Sequence, residues 1–425
     1  ACNMNVDLLM ALIFYLFLIL IYYRYKDKFV VQNKVFVLYK TKIGLRLMEK
    51  IARKWPRLLK YAGYVSIFVG FSGMVLMLAI LVKVTKDLIF VPGSPPGVAP
   101  VLPGVPIPGM PTLSFFHWII AILVVATVHE FLHGVYARFI NVNVKSSGFA
   151  FLGPILAAFV EPDDEQLNKK TKKEQILVYS AGPFANVLLA LMLIFLFGLS
   201  IPAIGLTNDI TKYTAIVDME KLANKTVEAD FKHITLESVE DGSPASIAGL
   251  KKGEKIIGIN SKIINEDAEG FFLELGLLKP NDEIEIMTDL GSYNVVAAEN
   301  KENASKGYIG ISFKPEADIV PKKELVDRYG KFVAEIPLWL MMLVNWAIII
   351  NIGVGLFNLL PLGPVDGGKM FYTLMLGVFK NNESRAKKAY VVATVFCIAL
   401  IIINLMPWIE KLLVFLFKPL LMLVM

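Results

Sequence analysis

The sequence contains very little cysteine and histidine, which limits the chemistry open to it. Its 425 residues include two cysteines, Cys2 and Cys397, and four histidines. Two cysteines provide neither a disulfide framework nor a thiolate metal site. Cys397 lies in an apolar segment, where packing is the expected role of a small side chain.

Charged residues are also scarce, at 19% of the chain, whereas hydrophobic residues make up 56%. A soluble domain has about 25% charged residues. The net charge of +6 is not a nucleic-acid footprint, because the basic residues concentrate beside apolar segments. Residues 24–60 carry twelve Lys or Arg but only Asp27 and Glu49. The composition therefore predicts a protein embedded in a lipid bilayer, with no nucleic-acid partner.

Six apolar segments are about long enough to cross the ~30 Å hydrocarbon layer of a membrane. The first is followed by basic residues and has no small-residue cleavage site, so it is not a signal peptide. We expect the last apolar stretch, Trp408–Met425, to form an interfacial or re-entrant tail or a seventh span. The predicted spans are Leu8–Tyr23, Tyr64–Val84, Phe115–Phe139, Ile176–Ile201, Ile336–Phe357 and Tyr390–Met406.

The basic loops predict the orientation of these spans. Loops rich in Lys and Arg stay in the cytoplasm. Residues 24–60, 169–173 and 380–388 are all basic and all fall on the same side when the spans are counted. We therefore expect a multi-pass cell-membrane protein with its N-terminus outside and these three loops inside.

One motif in the third span carries chemistry. His129 and His133 lie four residues apart, so on a helix both imidazoles face one side and can bind one metal ion. Glu130 lies beside them, where it can accept a proton from a metal-activated water. Two imidazoles and a carboxylate inside a membrane are costly unless they bind something. The motif predicts a zinc protease that works inside the bilayer. At about 1.5 Å per residue, His129 lies roughly 20 Å along the span, toward the cytoplasm.

Asp366 is the best candidate for a third metal ligand. Catalytic zinc takes three protein ligands and leaves a fourth position for water. Asp366 lies on a Gly- and Pro-rich turn directly after the fifth span. The alternative is that Asp366 caps the N-terminus of a helix over Gly367–Phe379, a common use of aspartate.

Three further segments around the spans carry expectations. Asn186, in the fourth span, either hydrogen-bonds the third span or donates to a reacting carbonyl oxygen. Gly148–Val160 is predicted as a β-hairpin or re-entrant loop, the alternative being a loop flat on the surface. An edge strand there, including Phe151 and Leu156, would pair with an unwound substrate. The Pro-rich segment 91–111 is either an outside-facing cap or a linker.

Residues 208–323 have the composition of a soluble domain, and Gly242–Asn260 resembles the PDZ signature. The departures are Glu254, where Asp is usual, and Ser261, where Gly is usual. Tyr308, Ile309 and Gly310 are similar to the carboxylate-binding loop of bacterial PDZ domains, which would imply a permuted strand order. The alternative is that they belong to the last strand of the domain.

Together these motifs resemble the site-2 proteases, which are intramembrane zinc metalloproteases, several of them with PDZ domains. The resemblance rests on the His129–His133 motif, on Ala181-Gly182-Pro183 with Asn186, and on Asn358-Leu359-Leu360-Pro361 through Asp366-Gly367. It covers roughly residues 115–201 and 336–379, with the PDZ signature between them.

The resemblance implies Zn²⁺ bound by His129, His133 and Asp366, with Glu130 as catalytic base. Asn186 and Asn358 match positions that help bind the substrate or stabilise the transition state. The implied substrate is a single-span membrane protein, often trimmed first by an upstream site-1-type protease. The alternative is an inactive relative that acts as a PDZ membrane scaffold.

The expected architecture is a polytopic α-helical membrane protein of about six spans with an inserted PDZ-like α+β domain. Residues 1–112 would form the N-terminal spans and loops, 113–207 the protease core, 208–323 the PDZ-like domain and 324–425 the rest of the core. The PDZ-like domain would then lie outside the cell and the active site toward the cytoplasm.

Overall fold

The chain forms two compact units in a computed structural model that describes residues 6–32, 36–92, 94, 96–105, 107, 112–152, 155–197, 219–260, 262–264, 268–300 and 303–424. One unit contains residues 1–218 and 342–425, and the other contains residues 219–341. Ser261 and residues 208–218, which belong to the predicted PDZ-like domain, lie outside the described residues.

Helices dominate the first unit. In chain order its elements, including a helix α11 that begins in the second unit, are α1 (Val6–Arg24), a short 3₁₀ turn (Lys26–Lys28), β1 (Phe29–Gln32), β2 (Phe36–Thr41), α2 (Leu45–Lys54), α3 (Pro56–Phe90), α4 (Phe115–Phe139), β3 (Val144–Leu152), β4 (Ile155–Pro162), α5 (Asp164–Asn168), α6 (Lys172–Phe197), α11 (Lys331–Phe357), α12 (Asp366–Val378) and α13 (Glu383–Val424).

Six of these helices, α1, α3, α4, α6, α11 and α13, are long and apolar enough to cross a membrane. The predicted third span, Phe115–Phe139, coincides with α4. Each of the other five predicted spans lies largely within one of these helices. The chain is therefore a multi-pass membrane protein.

No break in the helix separates the last apolar stretch from the sixth span. Helix α13 runs without interruption for 42 residues, Glu383–Val424, through Pro407. Proline removes one backbone hydrogen bond, but membrane helices tolerate this because neighbouring groups satisfy the freed carbonyl. The stretch from Trp408 onward therefore continues the helix of the sixth candidate span, which covers Glu383–Glu410.

The basic loop after the first span contains secondary structure that the sequence analysis missed. Strands β1 and β2 join β3 and β4 in one antiparallel sheet of order β1-β2-β3-β4. Tyr39 of β2 lies opposite Phe149 of β3, which lies opposite Ala158 of β4. The predicted β-hairpin at Gly148–Val160 is confirmed, and the alternative of a flat surface loop is excluded. The tip of the hairpin, Gly153 and Pro154, lies outside the described residues.

The Pro-rich segment is attached to the helices through its backbone. The indole N–H groups of Trp118 and Trp408 donate to the carbonyls of Val101 and Val98, each at 3.0 Å. The side chain of Asn404 accepts from the Gly97 N–H at 3.2 Å. These bonds satisfy backbone groups that proline-rich sequence cannot pair in a helix or sheet, and they favour a cap over a linker.

The second unit is a twisted sheet with short helices. Its sheet has the order β12-β5-β6-β8-β9, with β7 paired to β6. The expected short helix and following strand are observed as α8 and β6. The elements, in chain order, are α7 (Met219–Thr226), β5 (Val227–Val239), α8 (Pro244–Ile247), β6 (Lys255–Ile259), β7 (Lys262–Ile263), α9 (Ala268–Leu277), β8 (Glu283–Thr288), β9 (Gly291–Val296), β10 (Ala298–Glu299), β11 (Gly307–Tyr308), β12 (Ile311–Pro321) and α10 (Lys323–Tyr329).

Candidate metal centre

Three side chains converge between α4 and α12. The Nε2 atoms of His129 and His133 lie 3.0 and 3.2 Å from Oδ2 of Asp366, and 3.2 Å from each other. Ligand atoms about 2.0–2.1 Å from a tetrahedral zinc ion are roughly 3.3 Å apart. The three atoms thus match one face of a zinc coordination tetrahedron. Each residue is less than 9% exposed, so solvent does not compete for the ligands.

A hydrogen bond to α6 orients His133. Its Nδ1 lies 2.7 Å from the carbonyl oxygen of Val178, so the Nδ1–H donates there and Nε2 is left to bind metal. Among the described residues, Nδ1 of His129 has no such partner although it is buried. The position of His129 therefore depends on packing and on the Asp366 carboxylate.

Asp366 is held by a tight turn and does not cap α12. The N-cap residue is Val365, and Asp366 is the first residue of the helix. The carboxylate contacts the imidazoles, so the N-cap alternative is wrong. The Gly367 N–H donates to the carbonyl of Asn358 at 2.7 Å, and a Cβ atom at Gly367 would collide with the backbone of Leu359. The turn therefore requires glycine directly after the ligand.

Glu130 contacts the sheet next to the metal-binding helix. Its carboxylate accepts a 3.0 Å hydrogen bond from the backbone N–H of Val160 in β4. It lines a cavity of about 150 Å³ together with Thr127, Ser147 and Phe159. Glu130 thus belongs to the metal-binding helix and borders an open space between that helix and the sheet. This position suits a proton acceptor for water.

The side chain of Asn186 is buried and unpaired. Asn186 is 1% exposed, and neither side-chain amide atom has a hydrogen-bond partner in the described part of the chain. The contact between helices uses its backbone instead, because the carbonyl of Asn186 accepts from Nδ2 of Asn351 at 2.5 Å. An unpaired buried amide costs about 1–3 kcal/mol. It remains available to bind a reacting group.

Phe151 and Leu156 lie opposite each other, but only Leu156 belongs to an edge strand. Phe151, in β3, is paired on both sides, with Val37 and with Leu156. The structure describes no strand on the outer side of β4. Since the N–H of Val160 points outward to Glu130, the backbone groups of alternate residues, including Leu156, also point outward.

Tyr308 ends β11 in the second unit, and Ile309 and Gly310 lie between β11 and β12. The Tyr308 hydroxyl donates to the Glu240 carboxylate, and this bond raises the pKa of Tyr308. The carbonyl of Ile309 accepts from the Ala245 N–H at 3.0 Å. Gly310 has φ of +77°, a conformation that favours glycine. Tyr308 belongs to the short strand β11, and Ile309 and Gly310 connect it to β12, so none of the three residues is part of the last strand.

Gly182 of α6 is a site residue that the sequence analysis named only as part of the Ala181-Gly182-Pro183 motif. A Cβ atom at this position would collide with Nε2 of His129 and Nε2 of His133. The absence of a side chain therefore creates the space in which the ligand atoms meet. The sequence signal was present in Ala181-Gly182-Pro183, but small residues serve helix packing equally well.

We expect Gly182→Ala to lower zinc affinity by more than about tenfold, since the methyl group displaces both imidazoles. Zinc content after dialysis against a graded chelator measures the effect. Gly353→Ala is the control, because a Cβ atom at Gly353 meets nothing within 4 Å. Equal zinc retention by the two variants would contradict the role of Gly182.

Comparisons with known proteins agree with this geometry. A family model described as peptidase family M50 matches residues 117–402, which is about two thirds of the chain. Three relatives are similar over most of their length. An uncharacterized protein of Methanocaldococcus jannaschii is 26% identical over 347 residues, covering 78% of this chain and 76% of that protein. Zinc metalloprotease RasP of Geobacillus kaustophilus is 23% identical over 322 residues, covering 65% and 69%. Zinc metalloprotease RasP of Bacillus licheniformis is 21% identical over 284 residues, covering 59% and 62%.

Proposed function

Because the chain belongs to peptidase family M50, the site-2 protease family of zinc metalloproteases, we propose that it cleaves membrane-spanning proteins within or next to their transmembrane helices. The observation that carries this proposal is the convergence of His129, His133 and Asp366 between buried helices of the membrane unit. A protease centre on a membrane helix can only meet a substrate segment that enters the bilayer or its edge.

The residues divide the chemistry among them. His129, His133 and Asp366 would hold the zinc ion, which would supply Lewis acidity to a water molecule and to the scissile carbonyl. Glu130 accepts the proton of the attacking water and passes it to the departing amine. Asn186 and Asn358 are proposed to bind the substrate near the reacting carbonyl. The unpaired amide of Asn186 supports this, since a developing oxyanion would give its N–H a partner.

The substrate is proposed to bind as an added strand on the outer edge of β4. A helical substrate presents no accessible carbonyl, so it must unwind, and each unpaired backbone group then costs several kcal/mol in hydrocarbon. The outward groups of Leu156 and Ala158 can pair with it. The Val160 N–H, bonded to Glu130 at 3.0 Å, would align this added strand with the catalytic base.

We expect Leu156→Pro to slow cleavage roughly tenfold or more, because proline deletes an outward N–H that pairs with the substrate. Leu156→Ala is the matched control, since it shortens the side chain but keeps the N–H. Both variants should bind zinc. Cleavage rates that are equal in the two variants would show that the edge is not used.

The test of the function itself is cleavage of a single-span substrate in lipid vesicles that contain the purified chain. Fragment masses that place the cut in or beside the span, lost with a zinc chelator and regained with zinc, support intramembrane proteolysis. A second candidate, the inactive scaffold with a PDZ-like domain, predicts no fragments under the same conditions. The converging ligands favour the protease.

The orientation and the partners complete the proposal. The basic segments 24–60 and 380–388 support an active site toward the cytoplasm and an outside location of the second unit. Cysteines introduced at Lys50 and Glu299 should then react with an impermeant reagent from opposite sides of the membrane. The short helix and strand of residues 244–259 support a PDZ-like role in peptide binding. The proposed partner is a single-span membrane protein that a site-1-type protease trims beforehand.

A further inference from the structure

An open cavity lined by two lysines lies outside the metal centre, between the beginnings of α12 and α13. Its volume is about 600 Å³, and the two lysines are Lys369 and Lys387. Tyr372 and Tyr390 form its aromatic wall, with ring centroids 5.6 Å apart. Neither the proteolytic mechanism nor the substrate edge uses these residues.

The described lining of the cavity carries a net positive charge. Within the described residues, no carboxylate forms an ion pair with Lys369 or Lys387. The Nζ atom of Lys369 lies 5.6 Å from the ring centroid of Tyr179, which holds the ammonium group without neutralising it. Glu383 is the single acid in the lining, against two lysines. An anion is therefore the expected occupant.

The walls of the cavity are ordered by contacts within the protein. The Tyr390 hydroxyl donates to the carbonyl of Gly363 at 3.0 Å, which ties α13 to the turn before α12. Ser384 and Tyr372 add hydroxyl groups to the lining. The cavity thus offers both charge and neutral hydrogen-bond donors, the combination that a phosphate group accepts.

The position along α13 indicates the source of the phosphate. The span begins at Glu383, and the cavity is lined by its first two turns, Glu383 to Tyr390. The first turns of a span lie at the level of the lipid headgroups, where tyrosine is common. Residues 380–388 also include Lys380, Arg385 and Lys388. Basic pockets between membrane helices bind anionic lipid headgroups.

We propose that this cavity binds the phosphate of an anionic phospholipid headgroup. Lys369 and Lys387 contact the phosphate, and Ser384 and Tyr372 donate hydrogen bonds to the headgroup. Gly368 and Lys369 belong to the helix that begins with Asp366. A bound lipid therefore contacts the helix that provides the third metal ligand, and the site is separate from the substrate edge.

The experiment is native mass spectrometry of the purified full chain in an equimolar mixture of phosphatidylglycerol and phosphatidylcholine. The wild type is expected to retain phosphatidylglycerol preferentially. Lys369→Gln with Lys387→Gln should lower that preference roughly tenfold or more. The matched control is Lys50→Gln with Lys54→Gln, which removes the same charge from an exposed helix and also removes a lysine over an aromatic ring, Trp55, at 5.1 Å.

The outcomes are distinguishable. A preference that survives in the Lys369/Lys387 variant, or falls as far in the control, overturns the site. Displacement of the lipid by excess inorganic phosphate would show that free phosphate is the ligand and would overturn the lipid proposal. Zinc content and the thermal midpoint of unfolding confirm that each variant is folded. Lys387→Glu alone, at an exposed position, should also abolish the preference for phosphatidylglycerol. The readout does not depend on proteolysis.

Discussion

Glu130→Gln is expected to lower cleavage of a single-span substrate by a factor of about 10²–10⁴ while leaving zinc bound. The carboxylate of Glu130 is not among the three converging ligand atoms, so its loss leaves the metal cluster intact. Glutamine cannot accept the proton of the attacking water. Its amide oxygen can still accept the hydrogen bond from Val160, which now measures 3.0 Å, so the helix and sheet should stay in contact.

Cleavage rate and zinc content, measured on the same preparation, test this expectation. Glu165→Gln is the control, since Glu165 is an exposed residue of α5 and loses the same charge. Near-normal cleavage by Glu130→Gln would refute the assignment of the base. Loss of zinc in this variant would instead assign Glu130 a structural role in the metal centre.

Asp366→Ala is expected to lose both zinc and activity, with a metal affinity reduced by more than about 100-fold. The carboxylate oxygen is 3.0 and 3.2 Å from the two imidazole nitrogens, so removing it leaves two ligands where catalytic zinc takes three. Asp366→Asn keeps an oxygen and the same volume, and should retain more zinc than the alanine variant but less than the wild type.

Metal analysis after dialysis measures this loss, with a chelator series giving the affinity. The N-cap role for Asp366 makes a different prediction, namely a stability loss of about 1 kcal/mol with zinc unchanged. Because Val365 occupies the N-cap position, tight stoichiometric zinc in Asp366→Ala would show that Asp366 is not a metal ligand, without making it the cap.

The spans were predictable because the bilayer imposes a local rule. A helix must offer enough consecutive apolar residues to cross the hydrocarbon layer, and α4 begins and ends where hydropathy placed it, at Phe115 and Phe139. The C-terminal end of α13 was less predictable. Charged residues and Pro407 interrupt the local apolar pattern, yet the helix continues through them to Val424.

The four-stranded sheet was only half predictable. The hairpin of β3 and β4 has a local signal, an apolar stretch too short and too rich in Gly and Pro for a span. Strands β1 and β2 are short and lie in a strongly basic segment. The charges in this segment indicate the membrane orientation but interrupt the alternating apolar pattern that would predict a strand. Their register depends on pairing with β3, as in Tyr39 opposite Phe149, and no local pattern encodes a partner more than one hundred residues away.

The sequence by itself determined that the chain is a membrane protein of about six spans, and it identified two imidazoles and a carboxylate on one helix, because hydropathy and helical spacing are local properties. Only the tertiary structure decided the rest of the metal centre. It brought Asp366 to His129 across 237 residues, and it set Gly182 against both imidazoles. These contacts depend on how α4, α6 and α12 pack. Packing is decided by the whole set of helix surfaces, so it cannot be read from any single segment.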